Sequence, residues 1–186
     1  MLGHARTVCC IANRLPLLVQ HKVNRTSFIH FFNRSWAEYK VGFNDSNGSY
    51  WIGNDLLHQL TMTGRYKLRF DLQERSNGSW YYAEYSRFIV ESEASNYLMH
   101  VSGYSGNAGT AGSGNARYGF LHHDGMMFTT YDRDNDRDSS INCAAHYGGG
   151  FWHENCHRAC VNCVHMQWYA NGRWIYLQAS RMWLTY

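Results

Sequence analysis

Residues 66–72 read Tyr-Lys-Leu-Arg-Phe-Asp-Leu, an unbroken alternation of apolar and polar side chains. A period of two places Tyr66, Leu68, Phe70 and Leu72 on one face of a strand and Lys67, Arg69 and Asp71 on the other. A helix would scatter both sets around its axis, so the segment is a strand with one buried face. A polar turn over 74–78 follows, and residues 80–85 alternate again. Two such runs around a short turn make an antiparallel hairpin. Strands buried on one face only belong to antiparallel sheets, because parallel sheets are covered on both faces. Residues 87–90 and 97–101 extend the same sheet. Everything else in the chain must cover the apolar face of this sheet.

The covering segments are short. Ser35 to Gly42 has a helix start and stop: Ser35 as N-cap, Glu38 three residues on to complete a capping box, and Gly42 to end it. Residues 54–63 form a second short helix, with Asn54 as cap and Leu56, Leu57 and Leu60 on one face. Residues 17–32 hold two β-rich pieces around a polar turn and are expected to form a hairpin. Residues 102–119, rich in Gly, Ser, Ala and Asn, are a surface loop. Residues 126–131 return to strand, and the tail from 168 to 186 makes two aromatic strands around Ala170, Asn171, Gly172 and Arg173. Aromatic residues are 16% of the chain, with 17 Gly and one Pro. That mixture fits aromatic packing with irregular turns and argues against a helical bundle. The expected organisation is a poorly defined segment over 1–16 and one domain over 17–186.

The chemistry concentrates in residues 131–163, where little regular structure is expected. Asp132, Asp134, Asp136 and Asp138 alternate through a polar loop. Carboxylates this dense suit a hard cation with oxygen ligands, Ca2+ ahead of Mg2+. The alternative is a solvated loop salt-bridged by Arg133 and Arg137. An EF-hand is excluded, because its sixth position would be Arg137 and its twelfth Cys143. Cys143 and Cys156 flank a run of three glycines, 148–150; a disulfide closing this loop would stabilise by roughly 3 kcal/mol in the chain-entropy model. Cys156, His157, Cys160, Cys163 and His165 have zinc-ligand chemistry, but they are crowded rather than arranged as two separated pairs. A structural disulfide or free thiols at Cys160 and Cys163 fit better, and no thioredoxin-like context surrounds them. No catalytic motif occurs in the chain, and an enzyme is not expected.

A net charge of +3 makes no case for nucleic acid or an anionic membrane. No apolar run has the length of a membrane span. Sequons at Asn24, Asn33, Asn44, Asn47 and Asn77 point to a secreted glycoprotein. Asn44 and Asn47 are too close for both to be glycosylated easily, so Asn24, Asn33, Asn47 and Asn77 are the candidate sites. The start of the chain lacks a clean signal-peptide series.

These residues resemble the fibrinogen C-terminal-like domain, shared by fibrinogen chains, ficolins, tachylectins, angiopoietins and tenascins. The matching pieces are FNRSWAEYKVGF (32–43), YWIGNDLLHQLT (50–61), GRYKLRFDL (64–72), YAEYSRFIV (82–90), GYSGNAG (103–109), DGMMFTTYDRDND (124–136), NCAAHYGGGFWHENCHRA (142–159) and, more loosely, NGRWIYLQASRM (171–182). The acidic loop followed by NCA, a Gly-aromatic run and CHRA is the most specific part.

The resemblance implies an α+β domain, with a central twisted antiparallel sheet, short helices and an irregular, loop-rich C-terminal subdomain. It implies one Ca2+ held by Asp134 and Asp136, with backbone carbonyls near Asp138 and Ser140 completing the shell. It implies a Cys143–Cys156 disulfide, a cis peptide between Cys156 and His157, and a pocket for acetyl groups at Tyr147 and His157 supported by Trp152. The function that follows is secreted, calcium-dependent recognition of acetylated carbohydrate or glycoprotein ligands, as in lectin-like innate immunity. The alternatives are binding of a protein receptor without sugar, and a degenerate, non-binding remnant. Homo-oligomers would form through regions outside this chain. The chain departs from the family in several places, three of them around the site. The acidic loop is one residue longer, with Ile141 where Gly is usual. Cys160-Val161-Asn162-Cys163 replaces the usual asparagine-leucine-asparagine-glycine run. A segment before the last strands is absent, which is expected to leave Tyr147 without aromatic partners.

Overall fold

A computed structural model describes residues 15–23, 30–109 and 119–186. Among these residues the frame is one antiparallel sheet, formed by β1 (Leu17–Val23), β2 (Phe43–Asn44), β3 (Tyr50–Trp51), β4 (Lys67–Glu74), β5 (Trp80–Val90), β6 (Met99–Gly106) and β9 (Arg173–Thr185). Their order across the sheet is β2-β3-β1-β9-β4-β5-β6. Two further short strands, β7 (Ala159–Cys160) and β8 (Gln167–Ala170), pair with each other, and β8 pairs with the start of β9. The last strand is thus the centre of the sheet. Its first half carries the irregular C-terminal subdomain, and its second half is clamped between β1 and β4.

The alternation in β4 sets the two faces. Leu68, Phe70 and Leu72 are fully buried, facing Leu184, Met182 and Ser180 across the ladder. On the outer face Arg69 lies opposite Trp183 and Asp71 opposite Arg181. There the Trp183 indole donates to Asp71 at 2.8 Å, and Arg181 lies over the Trp80 ring. The turn after β4 is closed by buried Glu74, which accepts from both arms of the Arg173 fork at 2.9 and 3.1 Å.

Helix α1 (Trp36–Val41) has the expected capping box: the Glu38 N–H donates to Ser35 Oγ, and the Glu38 carboxylate accepts from the Ser35 N–H. Helix α2 (Asn54–Thr61) differs from expectation at its start, since Gly53 is the N-cap and no side chain caps it. Asn54 is fully buried and its carbonyl accepts from the Trp51 indole at 3.1 Å, so its capping oxygen is committed elsewhere.

Five other expectations are corrected. The 17–32 segment does not form a local hairpin over its described part: β1 pairs with β3 and β9, which bury Val19 and Gln20 better than a neighbour in sequence could. Residues 80–90 are one strand rather than two. The sheet continues in β6 to Gly106, into the stretch that composition alone reads as loop. Over 126–131 only isolated bridges form, Thr129 with Phe151 and Thr130 with Arg133. Helix α3 (Cys143–Tyr147) appears where little regular structure was expected.

The core is aromatic. Phe70 packs edge-on to Phe120 at 4.8 Å and to Trp168 at 5.1 Å, joining the sheet to the C-terminal subdomain. Trp152 sits deeper, against Phe88, Phe128 and Trp51, with its indole N–H donating to Tyr97 O at 2.8 Å. Rings dominate because short helices and irregular loops offer few regular apolar faces, and large flat side chains fill the space between them.

Candidate functional site

The acidic loop is built by its own backbone. Asp132 does not face it: its carboxylate accepts from the Trp36 N–H at 2.9 Å and the Thr130 hydroxyl at 2.7 Å, tethering the loop to the start of α1. Asp136, half-buried, accepts from the N–H of Cys143 (2.8 Å) and of Asp138 (2.9 Å), and Asp134 accepts from the N–H of Asp136 (3.3 Å). Burial, with the neighbouring charge of Asp134 as a smaller cause, raises Asp136 above the usual carboxylate range. Asp138 turns the other way, to the Ser140 hydroxyl and N–H at 2.6 and 2.9 Å, and these hold it low. Arg133 does not neutralise the loop. Its guanidinium lies 4.1 Å over the Trp36 ring and donates to Asn96.

This donor set fits a hard cation. Asp134 and Asp136 are adjacent oxygen donors whose mutual repulsion and partial burial a Ca2+ would offset. Of the Asp138 carboxylate, Oδ1 is committed to Ser140.

A short helix follows the loop. Asn142 caps α3, accepting from the Ala145 N–H at 2.8 Å, while its amide donates to Thr130 O. Gly148 ends the helix at φ +65°, the left-handed position that a side chain disfavours. The sequence signal for α3 was present: a capping Asn, two alanines and a terminal Gly. It was obscured by the acidic and cysteine-rich residues on either side. Cys143, at the first turn of α3, is disulfide-bonded to Cys156. The cis peptide lies between Asn155 and Cys156, one bond earlier than the resemblance implies. One hydrogen bond ties this turn to the loop, Arg137 N–H to Glu154 O at 2.9 Å, and another closes the turn on itself, Glu154 N–H to Cys156 O at 2.8 Å.

Beyond the turn, Tyr147 packs edge-on to His157 at 4.5 Å between ring centroids. Beyond His157, the ring that Tyr147 meets is that of its chain neighbour His146, edge-on at 4.7 Å; Trp174 at the start of β9 reaches His157 at 5.9 Å, with Tyr169 behind it at 5.2 Å. The β8–β9 hairpin therefore supplies rings to His157. Sequence spacing hides this, because Trp174 is 17 positions from His157 and meets it only through the β7–β8–β9 pairing. Trp152 is fully buried, so it supports the site from the core and touches nothing in solvent.

His123 also emerges only from the fold. It is fully buried; its Nδ1–H donates to Trp152 O at 2.7 Å, and its Nε2 accepts from the N–H groups of Arg158 and Ala159 at 3.2 and 3.1 Å. That pattern needs the neutral imidazole, and burial holds its pKa well below the usual histidine value. His123 thereby fixes the backbone next to His157. His157 itself is lowered to about 4, first by burial and then by His153.

The other two described cysteines form a second disulfide, Cys160–Cys163; Cys9 and Cys10 lie outside the described residues. The crowded zinc grouping does not assemble, since Cys156 is bonded to Cys143 and His165 is exposed. Asn33, Asn44, Asn47 and Asn77 are exposed; Asn24 lies outside the described residues.

Comparison with known proteins matches residues 18–185 to the family described as fibrinogen beta and gamma chains, C-terminal globular domain. The chain belongs to the fibrinogen C-terminal domain family. Among curated relatives, Protein scabrous of Drosophila melanogaster is 38% identical over 156 residues, 81% of this chain and 18% of that protein. Fibroleukin of Homo sapiens is 42% identical over 131 residues, 70% of this chain and 29% of that protein. The chain thus spans less than a third of these relatives. Among solved structures, the fibrinogen-like globe domain of human ANGPTL2 aligns with a TM-score of 0.74 at 29% identity, covering 91% of this chain and 79% of that one. Lamprey fibrin D-dimer, complexed with the peptide ligand Gly-His-Arg-Pro-amide, aligns with a TM-score of 0.71 at 26% identity, covering 90% of this chain and 60% of that one. Among the described residues the domain is held by two disulfides. No helix among the described residues is long and apolar enough to cross a membrane.

Proposed function

We propose that this domain is a secreted, calcium-dependent recognition module that binds an uncharged acetamide-like group, as on an acetylated sugar, at the Tyr147–His157 site. The observation that carries the reading is the pairing of Tyr147 with a neutral His157 next to a disulfide-held turn. A neutral imidazole offers a hydrogen bond without a charge, and Tyr147 and Trp174 offer ring faces and edges to a methyl group. Ca2+, held by Asp134 and Asp136, would fix the loop that Asp136 bonds to Cys143 at the head of α3. The two disulfides support secretion into an oxidising compartment, and the exposed sequons support glycosylation there.

Retention on an N-acetylated resin, release by free acetyl-hexosamine and loss of retention in chelator are the expected results. A ligand bound only by the native state raises its melting temperature, so millimolar Ca2+ raises Tm in the native chain and not in Asp136→Asn. No retention on the resin would sink the sugar reading. A second reading, binding of a peptide or protein receptor, is favoured by the peptide held in the lamprey relative. Binding to an immobilised peptide without competition by acetyl-hexosamine would select it.

A further inference from the structure

Cys160 and Cys163 lie on a turn buried beneath the recognition site. Their sulfurs and a ring nitrogen of His153 lie within 4.8 Å of one another, and all three residues are fully buried. His153 Nε2–H donates to Gly149 O at 3.1 Å, which leaves Nδ1 as the nitrogen with the lone pair. That Nδ1 is buried and makes no hydrogen bond of ordinary geometry, although the Cys156 backbone lies close to the ring. Buried polar atoms are rarely left so, because the loss of water is not repaid. An imidazole whose far nitrogen is fixed by a backbone carbonyl is also the usual arrangement of a metal-ligating histidine.

Two more features suit a thiolate metal site. The Cys163 N–H points at Cys160 Sγ at 3.0 Å, a donor that favours a negatively charged sulfur. The turn also keeps its shape by bonds other than the disulfide. Gln20 donates to Val161 O and Asn162 Oδ1, Lys22 donates to Asn162 O at 3.0 Å and Cys163 O at 2.6 Å, and the Asn162 amide donates to Gly150 O at 2.9 Å. These contacts from β1 and the glycine run remain when the sulfur–sulfur bond opens.

We propose that reduction of Cys160–Cys163 by a dithiol converts this turn into a Zn2+ site, ligated by the two thiolates and the His153 imidazole. The dithiol gives two electrons and two protons: the sulfur–sulfur bond breaks, two thiols form, and the reductant closes to a cyclic disulfide. Zn2+ then displaces the two thiol protons. The fourth tetrahedral position falls to water or to His157, whose Nδ1 is also buried without a partner and whose ring lies 6.0 Å from that of His153. The oxidised chain holds no free sulfur ligand there, so the metal reports the redox state of the turn.

The test uses the folded full chain, reduced with dithiothreitol, desalted under argon and titrated with Co2+. One equivalent with a sulfur-to-cobalt charge-transfer band, displaced by Zn2+, is expected in the reduced chain and none in the oxidised chain. Cys160→Ser with Cys163→Ser keeps the Cys143–Cys156 pair as a control and loses the band. His153→Gln keeps both thiols and weakens Co2+ affinity by at least the ~10–100-fold that loss of an outer partner costs a metal site. No band in reduced, folded protein, a band that survives the double serine substitution, or unchanged affinity in His153→Gln would each overturn the proposal.

Discussion

Replacing His123 with leucine removes a hub that three backbone groups share. The Trp152 carbonyl loses its donor, and the N–H groups of Arg158 and Ala159 lose their acceptor. Trp152 and Ala159 are fully buried, so water cannot replace the lost partner at those two. Each buried group left unpaired costs about 1–3 kcal/mol, so the two together give a loss of about 2–6 kcal/mol for the substitution. That is a large share of the ~5–15 kcal/mol by which domains are stable. Urea unfolding followed by tryptophan fluorescence measures it. The pH dependence separates hydrogen bonding from simple packing. The folded-state pKa of His123 lies below that of the unfolded chain, near 6.5. Above about pH 6.5 its contribution is complete. As pH falls below that value the unfolded chain takes up a proton that the native chain refuses, and stability declines. The decline should be shallower in His123→Leu. A loss under 1 kcal/mol at pH 7.5, or identical acid slopes in the two proteins, would refute this account.

Three further outcomes are expected. Cys143→Ser with Cys156→Ser should lower stability by roughly 3 kcal/mol and speed hydrogen exchange at the Cys143 amide, which now donates to Asp136. Gly149→Ala places a Cβ 2.3 Å from the Asn162 carbonyl oxygen, a backbone atom that cannot swing away; the cost, read by thermal melting, should be about 1–3 kcal/mol. The Glu74 carboxyl is held down to about 2, first by Arg173. Its contribution is therefore present above about pH 4.3 and lost as pH falls toward 2, and Glu74→Gln should flatten the melting temperature over that window.

The sequence by itself determined the local devices. Alternation fixed the faces of β4, because a period of two needs only neighbouring residues. The Ser35–Glu38 capping box and the tail turn at Asn171-Gly172 were legible for the same reason. The motif order around the acidic loop and CHRA carried the family, and with it the Cys143–Cys156 bond. What the tertiary structure decided was set by side chains that meet across long separations. Asn54 looked like a helix cap, yet the Trp51 indole claims its oxygen. Arg133 looked like a counter-ion to the acidic loop, yet the Trp36 face holds it. Residues 17–23 looked like half of a local hairpin, yet the last strand of the chain is the better partner, because pairing there buries Val19 and Gln20 in the sheet centre. The rings around His157 and the hub at His123 come from β8–β9 and from a 3₁₀ turn over Gly119–His123. No spacing rule connects such positions, since only the folded sheet brings them within reach.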